Sequence, residues 1–238
     1  MIGCLIIHGF TGGPHELEPL TNYLKTNTDW HISVPTLPGH GEKLALENAN
    51  YKSWLETAED SLKEIKEKYD EIYIIGFSMG GMIAAYLAAK YKVDKLVLLA
   101  TAGKYLSFKQ ISVDIGYMLK DGLSGKLEQN KLFRHYKRKM GSVPFKANLE
   151  FLKLVRLTRK SLKNVDTPVL IAQGQMDNMV PYKTAYYLDK EIPSKKKEVV
   201  FFERSRHLIC LGNDKDTLNK MVFEFLRKRP STTQAITN

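Results

Sequence analysis

Residues 72–89 read IYIIGFSMGGMIAAYLAA: an apolar run, a serine set among glycines, and a second apolar run rich in alanine. The first run predicts a buried strand over Glu71–Gly76. The second is apolar nearly all round, which predicts an enclosed helix over Met79–Ala89. Between them, Gly76-Phe77-Ser78-Met79-Gly80 is a Gly-x-Ser-x-Gly element in strand–turn–helix context. The turn is so tight that side chains two residues before and two after the serine would collide with neighbouring backbone. The hydroxyl is thereby pushed out above the sheet, at a helix start whose dipole favours developing negative charge. Ser78 is the candidate nucleophile. The pentapeptide also arises in ordinary loops, and it is the strand-to-helix context that gives it weight.

A serine hydroxyl needs a base within hydrogen-bond reach, itself oriented by a buried acid. With a nucleophile turn of this kind the chain order is serine, acid, histidine. Asp177, in GQMDNMVP (174–181), follows the strand-like PVLIAQG; catalytic groups gather at such carboxyl ends in open α/β sheets. His207, in ERSRHLI (203–209), is the one histidine after Asp177, and it too follows a predicted strand. His135 lies amid Arg134, Lys137, Arg138 and Lys139, which disfavour an imidazolium, and reads as a surface residue. Asp114, Asp121 and Asp166 also follow Ser78, yet none comes directly after a strand. Acyl transfer further requires N–H donors for the oxyanion. Met79, next to the nucleophile, supplies one, and Phe10 in HGFTGG (8–13) is the expected second. A glycine-rich loop without a role is the alternative for that stretch. A phosphate loop is disfavoured, because no Gly-Lys-Ser/Thr ending or lysine accompanies it.

Outward from this centre, short apolar runs alternate with segments of helical period, the pattern of βαβ units and a mostly parallel sheet. Strands are expected at Gly3–Ile7, His31–Pro35, Glu71–Gly76, Lys95–Thr101, Pro168–Gln173 and Lys197–Phe202. Amphipathic helices are expected at Tyr51–Lys68 and Thr217–Lys228. The alternation breaks at 102–167, far longer than an ordinary βα connection. We read that interval as a small helical cap inserted into a core formed by 1–101 and 168–229; a helical extension with no substrate role is the alternative. The polar stretch 230–238 is expected to be a disordered tail.

The net charge of +10 is confined to the insertion: residues 102–167 hold 15 Lys plus Arg against 5 Asp plus Glu, and the rest of the chain balances at 21 each. No nucleic-acid module accompanies this run, so nucleic acid is not an expected partner, and solvated helix faces are the first reading. An anionic substrate or membrane surface is compatible with it but not implied. No window approaches the roughly 18 to 20 apolar residues of a membrane span. With Cys4 and Cys210 in apolar neighbourhoods and no basic leader, we expect buried thiols, no cleavable signal and a cytoplasmic setting. No metal-ligand spacing is present, and neither metal nor organic cofactor is expected.

Five segments in order, LIIHGFTGGP, LPGHGE, GFSMGG, GQMDNMVP and ERSRHLI, resemble the α/β-hydrolase superfamily, and more narrowly its bacterial carboxylesterase and monoacylglycerol lipase group. The resemblance implies the α/β-hydrolase fold, Ser78, Asp177 and His207 as catalytic residues, Phe10 and Met79 as the oxyanion hole, and a cap lining an acyl pocket. The expected activity is hydrolysis of a small-molecule ester with an apolar acyl chain, by a monomer or homodimer. A thioesterase, amidase or cofactor-free perhydrolase with the same three residues is the alternative, and a non-catalytic binding protein a more distant one. Two departures stand out. Group members carry more chain before the HGF loop, so an edge strand is expected to be missing on that side. Arg206 replaces the usual glycine before the histidine, where it either lies in solvent or narrows the site in favour of an anionic substrate. The remaining histidines take structural readings: His8 orders the oxyanion turn, His40 supports a nearby loop, and His15 and His31 are structural or surface groups.

Overall fold

The computed structural model describes residues 1–104 and 143–228. Six strands, β1 (Ile2–Ile7), β2 (His31–Ser33), β3 (Glu71–Phe77), β4 (Lys95–Leu99), β5 (Val169–Gly174) and β6 (Lys197–Phe202), form one sheet in the order β2-β1-β3-β4-β5-β6. Every pairing is parallel. Parallel strands need crossover helices on both faces, so the central strands β1, β3, β4 and β5 bury both sets of alternate side chains, while the edge strands β2 and β6 are only partly covered. In β1, Leu5 and Ile7 face one core while Cys4 and Ile6 face the other; Ile72 and Ile74 alternate likewise with Tyr73 and Ile75 in β3.

The first core is covered by α2 (Tyr51–Lys68), α3 (Met79–Lys90), α4 (Phe145–Arg159) and α5 (Lys183–Glu191), and the second by α1 (Glu18–Asn27) and α6 (Lys215–Arg227). In α2 the buried face is the predicted one, Trp54, Leu55, Ala58, Leu62 and Ile65. Leu55, Leu62 and Ile65 each contribute about 1.5–3 kcal/mol by leaving water. Asn50 starts that helix: its side chain accepts from Lys52 and Ser53 N–H, and Ser53 Oγ accepts from Asn50 N–H. In α3 nearly every residue from Met79 to Ala88 is buried, because the helix is enclosed between the sheet, α2 and α4.

β1, β3 and β5 differ from the expected bounds by one residue at one or both ends, and two strand ends differ by two. β4 stops at Leu99 rather than Thr101, since Ala100 adopts a left-handed φ of 43° that no strand continues. β2 stops at Ser33 rather than Pro35, a residue with no N–H to extend a ladder. Residues 105–142, most of the expected cap, and the expected 230–238 tail lie outside the described residues, as do His135, Asp114 and Asp121. Among the described residues no helix is long and apolar enough to cross a membrane.

The chain runs from β1 outward to β2 and then returns to β3 on the other side of β1, so the order reverses between β1 and β3. Such a switch point opens a crevice at the carboxyl ends of the two strands. The HGFTGG loop leaves β1 there and Ser78 leaves β3.

Candidate active site

Ser78 follows the last residue of β3 and precedes the first of α3, with φ 54° and ψ −115°. A positive φ in a residue with a β-carbon costs about 1–3 kcal/mol and persists only where its surroundings impose it. Here they do. Ser78 N–H donates to Leu99 O at 2.9 Å, and its carbonyl accepts from Gly81 N–H and Ala102 N–H, both at 3.1 Å. The flanking glycines are required by close approach: a Cβ on Gly76 would sit 2.3 Å from Gly80 O, and one on Gly80 would sit 2.2 Å from Ile7 O.

Asp177 lies just past β5 and His207 just past β6; His207 reaches Ser78, and Asp177 reaches His207. His207 Nε2 is 2.9 Å from Ser78 Oγ, and His207 Nδ1 is 2.8 Å from Asp177 Oδ2. A carboxylate accepts only, so Nδ1 carries the proton and Nε2 is left to accept the serine hydroxyl. The other carboxylate oxygen, Asp177 Oδ1, accepts from Met179 N–H at 2.9 Å and Val180 N–H at 2.8 Å. Oδ2 also accepts from Gln173 Nε2 at 2.9 Å, and the same amide nitrogen donates to Val180 O. All three residues are at least nine-tenths buried. Burial pulls the His207 imidazole down, but the charge and hydrogen bond of Asp177, aided by the charge of Glu16, outweigh it and leave the pKa above that of an ordinary histidine.

Met79 is the first residue of α3, so its N–H has no acceptor within the helix. Phe10 sits one residue after Gly9, whose Cβ, if present, would lie 3.3 Å from Ser78 Cβ. The Phe10 ring stacks on Phe151 of α4 with centroids 4.9 Å apart and planes within 6°, and meets His40 and Trp54 at an angle. His8 Nε2 accepts from Leu37 N–H, so its Nδ1 carries the proton donated to Gly9 O. His40 contacts Pro38 O through Nδ1. His31 is exposed and stacks on Tyr69, far from Ser78 in the fold. Arg206 is exposed, as is Asp166.

Cys4 and Cys210 are unpaired and buried, and burial pushes the Cys4 thiol up to about 12 and Cys210 up as well, so neither forms a thiolate near neutrality. The reading of the sequence missed Gln173 and Glu16. Gln173 could have been found as the lone amide in an otherwise apolar strand; Glu16 had no local signal, because only the folded loop shows that its carboxylate is buried.

A serine on a strand-to-helix turn, in contact with a histidine and an aspartate at the carboxyl edge of a parallel sheet, defines an α/β-hydrolase. The chain belongs to the serine aminopeptidase, S33 (Hydrolase_4) family, whose profile matches residues 3–216. It is similar to a thermostable monoacylglycerol lipase of Bacillus sp. (strain H-257), 27% identical with 95% of this chain and 91% of that protein aligned. It is also similar to a carboxylesterase of Bacillus subtilis (strain 168), 25% identical over 94% of this chain and 92% of that one. Among solved structures, a metagenome-derived lipolytic enzyme of the LipS and LipT study superposes with a TM-score of 0.76 at 21% identity, covering 96% of this chain and 94% of its own, a likeness that bears on the fold alone.

Proposed function

We propose that this protein hydrolyses carboxylic esters through an acyl-enzyme on Ser78. The observation that carries the reading is the continuous chain of hydrogen bonds from Ser78 Oγ through His207 to Asp177. In the first step Ser78 Oγ attacks the ester carbonyl while His207 Nε2 takes the hydroxyl proton. The carbonyl π pair moves onto oxygen, where the N–H groups of Met79 and Phe10 receive the negative charge. As the tetrahedral adduct collapses, the bond to the alcohol oxygen breaks and His207 returns the proton to that oxygen. In the second step His207 takes a proton from water as the water oxygen attacks the acyl-serine carbonyl; the bond to Ser78 Oγ then breaks, His207 returns the proton to that oxygen, and the carboxylic acid leaves. Asp177 holds the imidazole in the required tautomer and stabilises its charged form.

The names of the two Bacillus relatives support an ester as the scissile group. The rings of Phe10, Trp54 and Phe151 beside the HGFTGG loop support an apolar acyl portion. The family description favours a second reading, an amide substrate, for which the same residues serve. We keep the helical cap over 102–167 as part of the proposal, with α4 as its described portion. The test pairs two measurements. Wild type should be labelled by a fluorophosphonate and turn over a short-chain chromogenic ester with a burst, whereas Ser78→Ala should do neither; labelling that persists in Ser78→Ala would end the assignment. Side-by-side turnover of an ester, a thioester and an anilide sharing one acyl group decides between the two bonds.

A further inference from the structure

The HGFTGG loop is held from two sides around Gly9, and one of the holding groups is a buried carboxylate that the acyl-transfer steps above do not use. Gly9 C=O accepts from His8 Nδ1 at 2.9 Å and from Gly12 N–H at 3.3 Å. The peptide joining Gly9 to Phe10 is planar and trans, so its carbonyl and its N–H point in opposite directions. Drawing the carbonyl into the turn therefore turns the Phe10 N–H away from it. The other peptide of Gly9 is held by Glu16: Gly9 N–H donates to Glu16 Oε2 at 3.2 Å. Glu16 is only 4% exposed. It is presented by the single turn Pro14–Leu17, anchored through its own N–H to Gly13 O at 3.0 Å. Its carboxylate presses against Gly12, where a Cβ would sit 1.8 Å from Oε2.

We propose that Glu16 is a positioning residue for acyl transfer, a buried carboxylate that fixes the Gly9 backbone so that the Phe10 N–H meets the oxyanion. The proposal rests on the reading of Ser78, His207 and Phe10 given above. Burying a carboxylate is costly, and an apolar side chain could fill the same core position. What the carboxylate adds is an acceptor for the Gly9 N–H and a fixed negative charge near the imidazole. Among the described residues, Phe77 from β3 packs against the His207 ring, Ser78 at the start of α3 and Asp177 after β5 meet its two nitrogens, and the charge of Glu16, after β1, reaches it through the core. Two of them are anionic, and both favour the imidazolium that forms as Ser78 loses its proton. The charge of Glu16 also reaches Cys210, raising that thiol.

The experiment is the rate of Ser78 phosphonylation by a fluorophosphonate across pH, for the full-length wild type, Glu16→Gln and Glu16→Ala. This readout needs no knowledge of the natural substrate. Glu16→Gln keeps an acceptor and removes the charge. Its plateau should stay within about threefold of wild type, while its acid limb moves to lower pH. Glu16→Ala removes both, and its plateau should fall by about tenfold or more, as for a misplaced oxyanion donor. A side chain that merely filled space would lower Tm without moving the limb. Either an acid limb in Glu16→Gln that coincides with wild type, or a folded Glu16→Ala with an undiminished plateau, overturns the proposal. If Glu16→Ala does not fold, Glu16→Gln decides alone. A wild-type chain that takes no label at Ser78 instead overturns the functional reading itself.

Discussion

At the scale of single residues, Asp177 is the most constrained group of the site, since its two oxygens accept from one imidazole, one amide and two backbone N–H groups. In Asp177→Asn the replacement amide can donate to Nδ1, which moves the proton to Nε2 and removes the acceptor for the serine hydroxyl. We expect kcat on a short-chain ester to fall by about 10⁴ with KM little changed, by analogy with the same change in other serine hydrolases. On the proposed mechanism His207 sets the pH dependence. Its pKa lies above the ordinary histidine value of about 6.5, and the neutral form is the base, so kcat/KM should rise with pH through that raised value. A pH–rate profile whose acid limb lies at or below about 6 contradicts this. Folding has the opposite sign: the stabilising contribution of His207 is complete below its unfolded pKa and is lost as pH rises through the folded one. The contact of Ser78, Asp177 and His207 was legible because each follows a strand end and because the roles proposed for them, nucleophile, acid and base, require that chain order. Gln173 and Glu16 were not, because their part depends on which backbone N–H or carboxylate they meet after folding.

At the scale of elements, α4 packs on the HGFTGG loop and so joins the proposed cap to the proposed oxyanion hole. Phe151 stacks on Phe10, and the preceding residue, Glu150, accepts through Oε2 from Tyr51 N–H at 3.2 Å, tying α4 to the first turn of α2. Truncating Phe151 should therefore be felt at the oxyanion loop as well as in the core. Phe151→Ala should cost about 3–5 kcal/mol of stability and lower kcat by about tenfold, whereas Phe151→Leu should retain most of both. Denaturant melts and steady-state kinetics on the two variants separate the effects. Lys95 is the contrasting case at the opposite end of the sheet. Its ammonium, at the start of β4, donates to the carbonyls of Phe225, Leu226 and Lys228 and so closes the C-terminus of α6. Lys95→Met should lose about 1.5–3 kcal/mol in stability while kcat, measured well below Tm, is unchanged. Strands and helices were legible as types because short apolar runs alternate with segments of 3.6 period in the sequence. Their ends were less so: the turn at Ala100 arises from Ser78 and Leu99 packing side by side, which no local pattern records.

At the scale of the whole molecule, motifs far apart in the chain meet because a parallel sheet sends every strand's carboxyl end to the same edge. This is why order and spacing alone revealed the fold, while the Phe10–Phe151 stack, between segments remote in sequence, stayed hidden. The same view sharpens the meaning of the +10 charge. Since residues 1–101 and 168–238 together balance, the basic excess belongs to the stretch 102–167 of the sequence rather than to the chain at large. On α4 the exposed cations include Lys146, Lys153 and Arg156, of which Lys153 is paired to Glu150. A local positive field attracts an anionic interface without touching the reacting carbonyl, so it should act on encounter and leave the chemical step alone. Salt separates the two, because screening shortens the reach of the field from about 30 Å at 0.01 M to about 3 Å at 1 M. Turnover of an ester carried in negatively charged vesicles should therefore fall steeply over that range, while turnover of a soluble uncharged ester stays level. Vesicle rates that ignore salt would mean that the basic segment is a solvated surface with no part in bringing substrate to Ser78.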